Sequence, residues 1–215
     1  MNSLDQEFLK RVEGTELGER TKKLFENPRL TKFLIKELTY TTPFGEKKVG
    51  LMRPNCFGGT LWQLELDHLA EEFASFAELG SDYALNFYYD RPNDSPVPFI
   101  GTDNFRMILD FYFKRVEPNE VDQGVMVLWG VGNVKDSRLI QNSRPIFIAH
   151  AGIFSRKEND NILMASVGGM GGDLETLKIE NDGTQLVDSS GKYVNGMYWP
   201  LVEEITFYVP KEGIK

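Results

Sequence analysis

Ile162-Leu163-Met164-Ala165-Ser166-Val167-Gly168-Gly169-Met170-Gly171-Gly172-Asp173-Leu174-Glu175-Thr176-Leu177-Lys178-Ile179-Glu180 decides how this chain folds. An apolar run enters a glycine-rich segment, and a second extended run leaves it and stops at Asn181-Asp182-Gly183. A strand running into a glycine loop can cradle phosphate, and glycines between two extended segments can equally close a wide hairpin. A dinucleotide fingerprint needs Gly-x-Gly-x-x-Gly opening a helix inside a βαβ unit. Counted from Gly169, the second glycine is Gly171 and the third position is Leu174, so the fingerprint fails. Leu174 to Glu180 is also too short for a crossover helix. The hairpin reading is therefore preferred, ahead of a functional flexible loop carrying Gly169 and Gly171, with a phosphate cradle third.

The surrounding chain reads the same way. Ile146 to Phe154, Thr184 to Val187 and Glu204 to Val209 are further strand candidates bounded by turn residues, and together they predict an antiparallel meander. Val125 to Trp129 adds another strand. Phe105 to Val116 fits two periods: Phe105, Ile108, Leu109, Tyr112, Phe113 and Val116 suit a helix, whereas Phe105, Met107, Leu109, Phe111 and Phe113 alternate as in a strand. Aromatic enrichment and the strand-like neighbour tilt the expectation to a strand. Ala84 to Tyr89 is a strand candidate, and the three prolines between Arg91 and Pro98 predict an irregular connection. Leu38 to Thr42 and Lys47 to Met52 flank Pro43-Phe44-Gly45-Glu46, which predicts a hairpin that begins the sheet.

Helices are expected at residues 4–12 and 18–37, the first from the spacing of Leu4, Phe8, Leu9 and Val12. A longer one is expected from Thr60 to Leu79, with Thr60 and Gln63 in a capping-box pattern and Trp62, Leu66, Leu69, Phe73 and Phe76 on one stripe ending at Gly80. The expected class is α+β. Residues 1–37 form a helical N-terminal segment and residues 38–215 an α+β unit, the two making one compact body. One long amphipathic helix packs on a mainly antiparallel sheet that can curl into a sandwich or partial barrel.

Composition narrows the function classes. A chain of 215 residues, 41% hydrophobic and 26% charged, is long enough to bury roughly 70% of the surface its unfolded form exposes. No apolar run approaches the ~20 residues of a membrane helix, and the acidic start, with Asp5 and Glu7, is unlike a signal peptide. With a lone cysteine, Cys56, this predicts a cytoplasmic protein without disulfides. The net charge of −8 is uneven: residues 1–50 hold 10 Lys+Arg against 8 Asp+Glu, whereas residues 51–215 hold 14 against 24. Sustained negative charge disfavours nucleic acid, whose binding depends on cation contacts, and would steer a cationic protein partner.

Few residues offer chemistry. His68 and His150 are the only histidines, and no metal-ligand spacing joins them to Cys56, so no metal or cofactor is implied. Gly191-Lys192 has Leu186 where a Walker loop needs its upstream glycine, and no Gly-x-Ser-x-Gly elbow exists. Cys56 stands just before an expected helix start whose dipole could favour a thiolate paired with His68 or His150, although a buried structural cysteine is the commoner case. His68 is expected on a solvated helix face. His150, inside Ile148-Ala149-His150-Ala151-Gly152, is expected as a satisfied core histidine, with a cavity-lining role second. Asp67, Glu71, Glu72 and Asp110 show no spacing that separates an acid/base pair from a solvated face.

Aromatic residues are the remaining signal. Phe87-Tyr88-Tyr89, Phe111-Tyr112-Phe113 and Met197-Tyr198-Trp199-Pro200 place consecutive rings in or beside strands, where alternate side chains face opposite ways. One of each cluster lies outside the core unless a helix, a partner or a ligand covers it. Exclusion and charge together predict a non-catalytic binding protein of inhibitor, immunity or adaptor type. It would engage a protein partner through an acidic surface bearing Tyr88, Tyr112, Tyr198 and Trp199. The second reading is a binder of a small apolar ligand in a curled sheet, with His150 and tyrosines as polar contacts. The third is an enzyme using Cys56 or His150.

Overall fold

In the computed structural model, residues 1–26, 36–41, 47–52, 56–66, 68–69, 72, 102–131, 146–157, 161–167, 174–180, 185–191 and 201–214 are described. Ser3–Arg11 forms α1, opened by a capping box in which the Asp5 amide donates to Asn2 Oδ1 and the Asn2 amide donates to Asp5 Oδ2. Glu16–Glu26 forms α2. Lys36–Thr41 (β1) and Lys47–Met52 (β2) pair antiparallel as a hairpin, as the turn chemistry between them predicts. Two expectations change here. The helix expected through residue 37 ends at Glu26, with Lys36 and Glu37 already in β1, and the hairpin is a separate two-stranded sheet.

The expected long helix is revised over its first part, and its residues 67, 70–71 and 73–79 lie outside the described residues, with 68–69 and 72 helical. Cys56–Gln63 forms α3, beginning four residues before Thr60, whose hydroxyl donates back to the Cys56 carbonyl at 2.7 Å. Thr60 is thus inside the helix, and the capping-box pattern at Thr60 and Gln63 does not mark its start. The helix stops because Glu65 takes a left-handed conformation, φ 62°. The Glu65 amide then donates to Trp62 O, and the Leu66 amide to Leu61 O at 2.9 Å. This is a Schellman closure with glutamate where glycine usually stands. The left-handed cost of about 1–2 kcal/mol is offset by burial of Leu66 beside Leu61.

Thr102–Tyr112 (α4) and Phe113–Val116 (β3) divide the stretch expected as a strand. The residues that bury are those of the helical period, Phe105, Ile108, Leu109, Phe113 and Val116, whereas the alternating set fails at Met107 and Phe111, which are exposed. Phe105, Ile108 and Leu109 bury the inner face of the helix, and Phe113 and Val116 are the buried ends of the short strand. Gln123–Val131 (β4), Ile146–Ser155 (β5), Leu163–Val167 (β6), Leu174–Glu180 (β7) and Gln185–Val187 (β8) follow as the expected meander, and Leu201–Pro210 (β9) closes the chain's strand set.

The seven-stranded sheet has the order β3-β9-β4-β5-β6-β7-β8, antiparallel throughout its pairings and open rather than closed into a barrel. The decisive hairpin reading holds: β6 and β7 are antiparallel neighbours in the register Val167↔Leu174, across the glycine segment. Residues 168–173 themselves lie outside the described residues. The exception to the meander is β9, which lies between β3 and β4 and is antiparallel to both. β3 and β4 therefore run parallel, and residues 117–122 must cross a full strand, about 10 Å. Val121 packs against the cluster containing Met126 and Phe207, and the Arg156 side chain donates to Pro118 O at 2.9 Å, fixing this crossover.

The sheet divides the core. On one face Val125, Val127, Ala151, Ile153, Leu163 and Ala165 pack with Phe8 and Val12 of the α1 region, Cys56, Phe57 and Leu61 of α3, and Phe105, Ile108 and Leu109 of α4. The Phe57 and Phe105 rings stack at 4.7 Å, joining α3 to α4. The N-terminal helices thus share the core of the sheet. On the other face Met126, Leu128, Phe154, Met164, Leu177, Ile179, Leu186 and Phe207 form a second cluster.

Candidate functional site

Two bulges determine which side chains meet. Along β4 and β5 the register passes from Leu128↔His150 to Trp129↔Ile148, so β5 carries one extra residue there. Without it, Ile148 and His150 would share a face by simple alternation. With it, Ile148 joins the helix-covered core, while His150 turns to the face of Phe154 and Met164. There His150 Nε2 lies 2.8 Å from Ser166 Oγ, in a buried hydrogen bond between β5 and β6. A second register shift, between Trp129 and Gly130 against β9, accompanies a hydrogen bond from Trp129 Nε1 to Thr206 Oγ1 of 2.7 Å.

The electrostatics of this centre are those of a core. Burial pushes the His150 imidazole down to about 4, so the ring is neutral at pH 7. A neutral ring facing a serine hydroxyl is the nucleophile-and-base pairing in outline, but both residues are buried, at 2% and 0% exposure. Ser166 carries no sequence signal, because a serine inside an apolar run marks nothing by itself. Beside it, Ser166 pairs in register with Glu175 on β7, whose carboxyl is raised by partial desolvation and by the Asp188 carboxylate.

Cys56 lies on the other side of the sheet. It is the first residue of α3, and its side chain belongs to the helix-covered core with Ala151. Burial pushes the thiol up to about 12, outweighing hydrogen bonds with the backbone of Ala151, Phe57 and Cys56 itself. The helix-start position therefore does not yield a thiolate at neutral pH, because the sulfur is desolvated. β5 itself separates Cys56 from His150, and His68 is exposed. No group of three or more His, Cys, Asp or Glu among the described residues could hold a metal ion. Glu72 and Asp110 are exposed, whereas Asp67 and Glu71 lie outside the described residues.

The aromatic candidates separate similarly. Tyr88, Tyr198, Trp199, Gly169 and Gly171 lie outside the described residues, and Tyr112 is half-buried at the end of α4. Comparison with known proteins adds no assignment. No protein-family model, curated protein or solved structure matches this chain. The site must be read from its own chemistry.

That chemistry points outward. α4 exposes Phe111 at 63% and Met107 at 40%, the largest apolar side chains besides Met1 left in solvent among the described residues. They lie four residues apart on one helix face, flanked by exposed Arg106 and Asp110. Lys211 holds the end of the helix, its ammonium donating to Asp110 O at 3.1 Å and Phe111 O at 2.8 Å. Among the described residues, no helix is long and apolar enough to cross a membrane.

Proposed function

We propose that this chain is a non-catalytic binding protein that engages a protein partner through an aromatic-bearing surface centred on α4. The observation that carries the reading is the exposure of Phe111 beside Met107 on a helix whose opposite face is fully buried. A solvated phenylalanine on a helix packed into the core by its opposite face resembles the aromatic anchors that dominate protein interfaces. The net acidity of residues 51–215 as a whole, 24 Asp+Glu against 14 Lys+Arg, favours partners that carry positive charge. Chemistry at Cys56 or His150 has less support, because each is buried and held in its neutral form.

Native mass spectrometry of the protein isolated gently at low salt from its own cells tests the reading. An added polypeptide mass that is lost in Phe111→Ser is the expected outcome. A retained mass of a few hundred daltons would favour the small-ligand alternative. A bare 24.5 kDa species, with no association altered by neutralising acidic residues, would overturn the proposal.

A further inference from the structure

The exposed stripe of α4 is complementary to itself. In chain order it runs Arg106, Met107, Asp110 and Phe111, a cation and an anion one turn apart on one flank and two apolar side chains one turn apart on the other. At about 100° per residue, Arg106 and Asp110 fall on the same side of the exposed face, and Met107 and Phe111 on the opposite side. A twofold rotation that sets two copies of such a helix antiparallel keeps each flank on its own side and reverses its direction. Arg106 then meets Asp110 of the second copy, twice, while Met107 meets Phe111, also twice. Within one chain the Arg106 guanidinium lies over the Trp129 ring at 5.9 Å, and the residue as a whole is exposed.

We propose that the occupant of the α4 face is a second copy of this chain, paired antiparallel about a twofold axis through α4. This inference rests on the protein-binding reading above and places a second copy, matched locally through Arg106 and Asp110, where the net acidity alone would favour a cationic partner. The helix is about 16 Å long, so this contact alone is smaller than the roughly 800 Å² per partner of a standard interface, and the pair is a weak, exchanging one. Two copies of net charge −8 repel each other, and that long-range repulsion is screened at about 0.15 M salt, where the Debye length is about 8 Å.

Sedimentation velocity on the purified full chain at that ionic strength, over micromolar to millimolar concentrations, tests the proposal. The wild type is expected to move from monomer to dimer with concentration. Asp110→Lys sets a second cation against Arg106 and Phe111→Ser removes the anchor, so each is expected to weaken association at least tenfold. Arg106→Glu combined with Asp110→Lys exchanges the charges and is expected to restore it. All the substituted side chains are exposed, and circular dichroism of each variant checks that it keeps its fold. A monomer at every concentration would overturn the proposal, as would a dimer insensitive to Asp110→Lys and Phe111→Ser. A monomer that nevertheless carries a different polypeptide in native mass spectra would overturn the self-pairing and leave the binding reading standing.

Discussion

His150 is a residue whose state is imposed by its surroundings. Its hydrogen bond to Ser166 offsets part of the cost of burying an imidazole, but the charged form has lost its water, which is why the group is pushed down to about 4 from an ordinary 6.5. The neutral ring therefore contributes stability that is complete above pH 6.5 and is lost as the pH falls toward 4, an effect on the order of 3 kcal/mol. His150→Gln keeps a hydrogen-bonding nitrogen without a titrating ring. Urea unfolding of both proteins between pH 7 and 4 is expected to show a steeper acid loss in the wild type. Parallel curves would mean that burial does not shift the imidazole between the folded and unfolded states. The placement of this histidine in an apolar strand was legible in the sequence. Its face was not, because the extra residue at the bulge between His150 and Ile148 reverses the alternation, and no turn residue announces it.

At the scale of elements, the helix layer is held at close range. A Cβ on Gly59 would come within 2.5 Å of Val167 Cγ2 and 2.9 Å of its Cβ, so α3 rests on β6 with no room for a methyl group. Gly59→Ala gains the helix propensity of alanine but forces α3 off the sheet, and a net loss of about 1–3 kcal/mol is expected in thermal or urea unfolding. An unchanged or raised stability would show that the layer yields freely. The position of α3 is reinforced by Arg20 of α2, which stacks on Trp62 at 4.7 Å, donates to the Trp62 carbonyl and pairs with Glu65 at 3.0 Å. These contacts explain why the helix does not run unbroken from Trp62 through Leu66 and Leu69: the chain turns at Glu65, where local propensity gives no warning and tertiary contacts compensate the strain. The aromatic run Phe111-Tyr112-Phe113 gives the converse case. One ring of the run does stand outside the core, yet Phe111 is exposed because it lies on the outer face of a helix, one turn from Met107, not because it alternates in a strand.

For the whole molecule, the strand insertion matters most. β9 is the last strand of the chain and fills the gap between β3 and β4, pairing with both along their lengths. Its Phe207 packs edge-on to Phe154 at 5.0 Å, tying the second core cluster to the middle of the sheet. A chain ending at residue 200 would leave β3 and β4 with two unpaired inner edges and expose that cluster. Such a truncation is expected to lose near-ultraviolet circular dichroism and cooperative unfolding altogether. A cooperative transition in the truncated chain would show that β9 is an accessory. The sequence by itself determined the α+β class, the hairpin across Gly168 to Gly172 and the run of strands β4 to β8. Those properties depend on local periodicity and turn residues, which act between near neighbours. Only the tertiary structure decided that β9 parts β3 from β4, that Cys56 and His150 face away from each other across β5, and that Phe111 is left in water. Each of these depends on which distant segments share a face, and burial and pairing between residues far apart in the chain leave no periodic mark in the sequence.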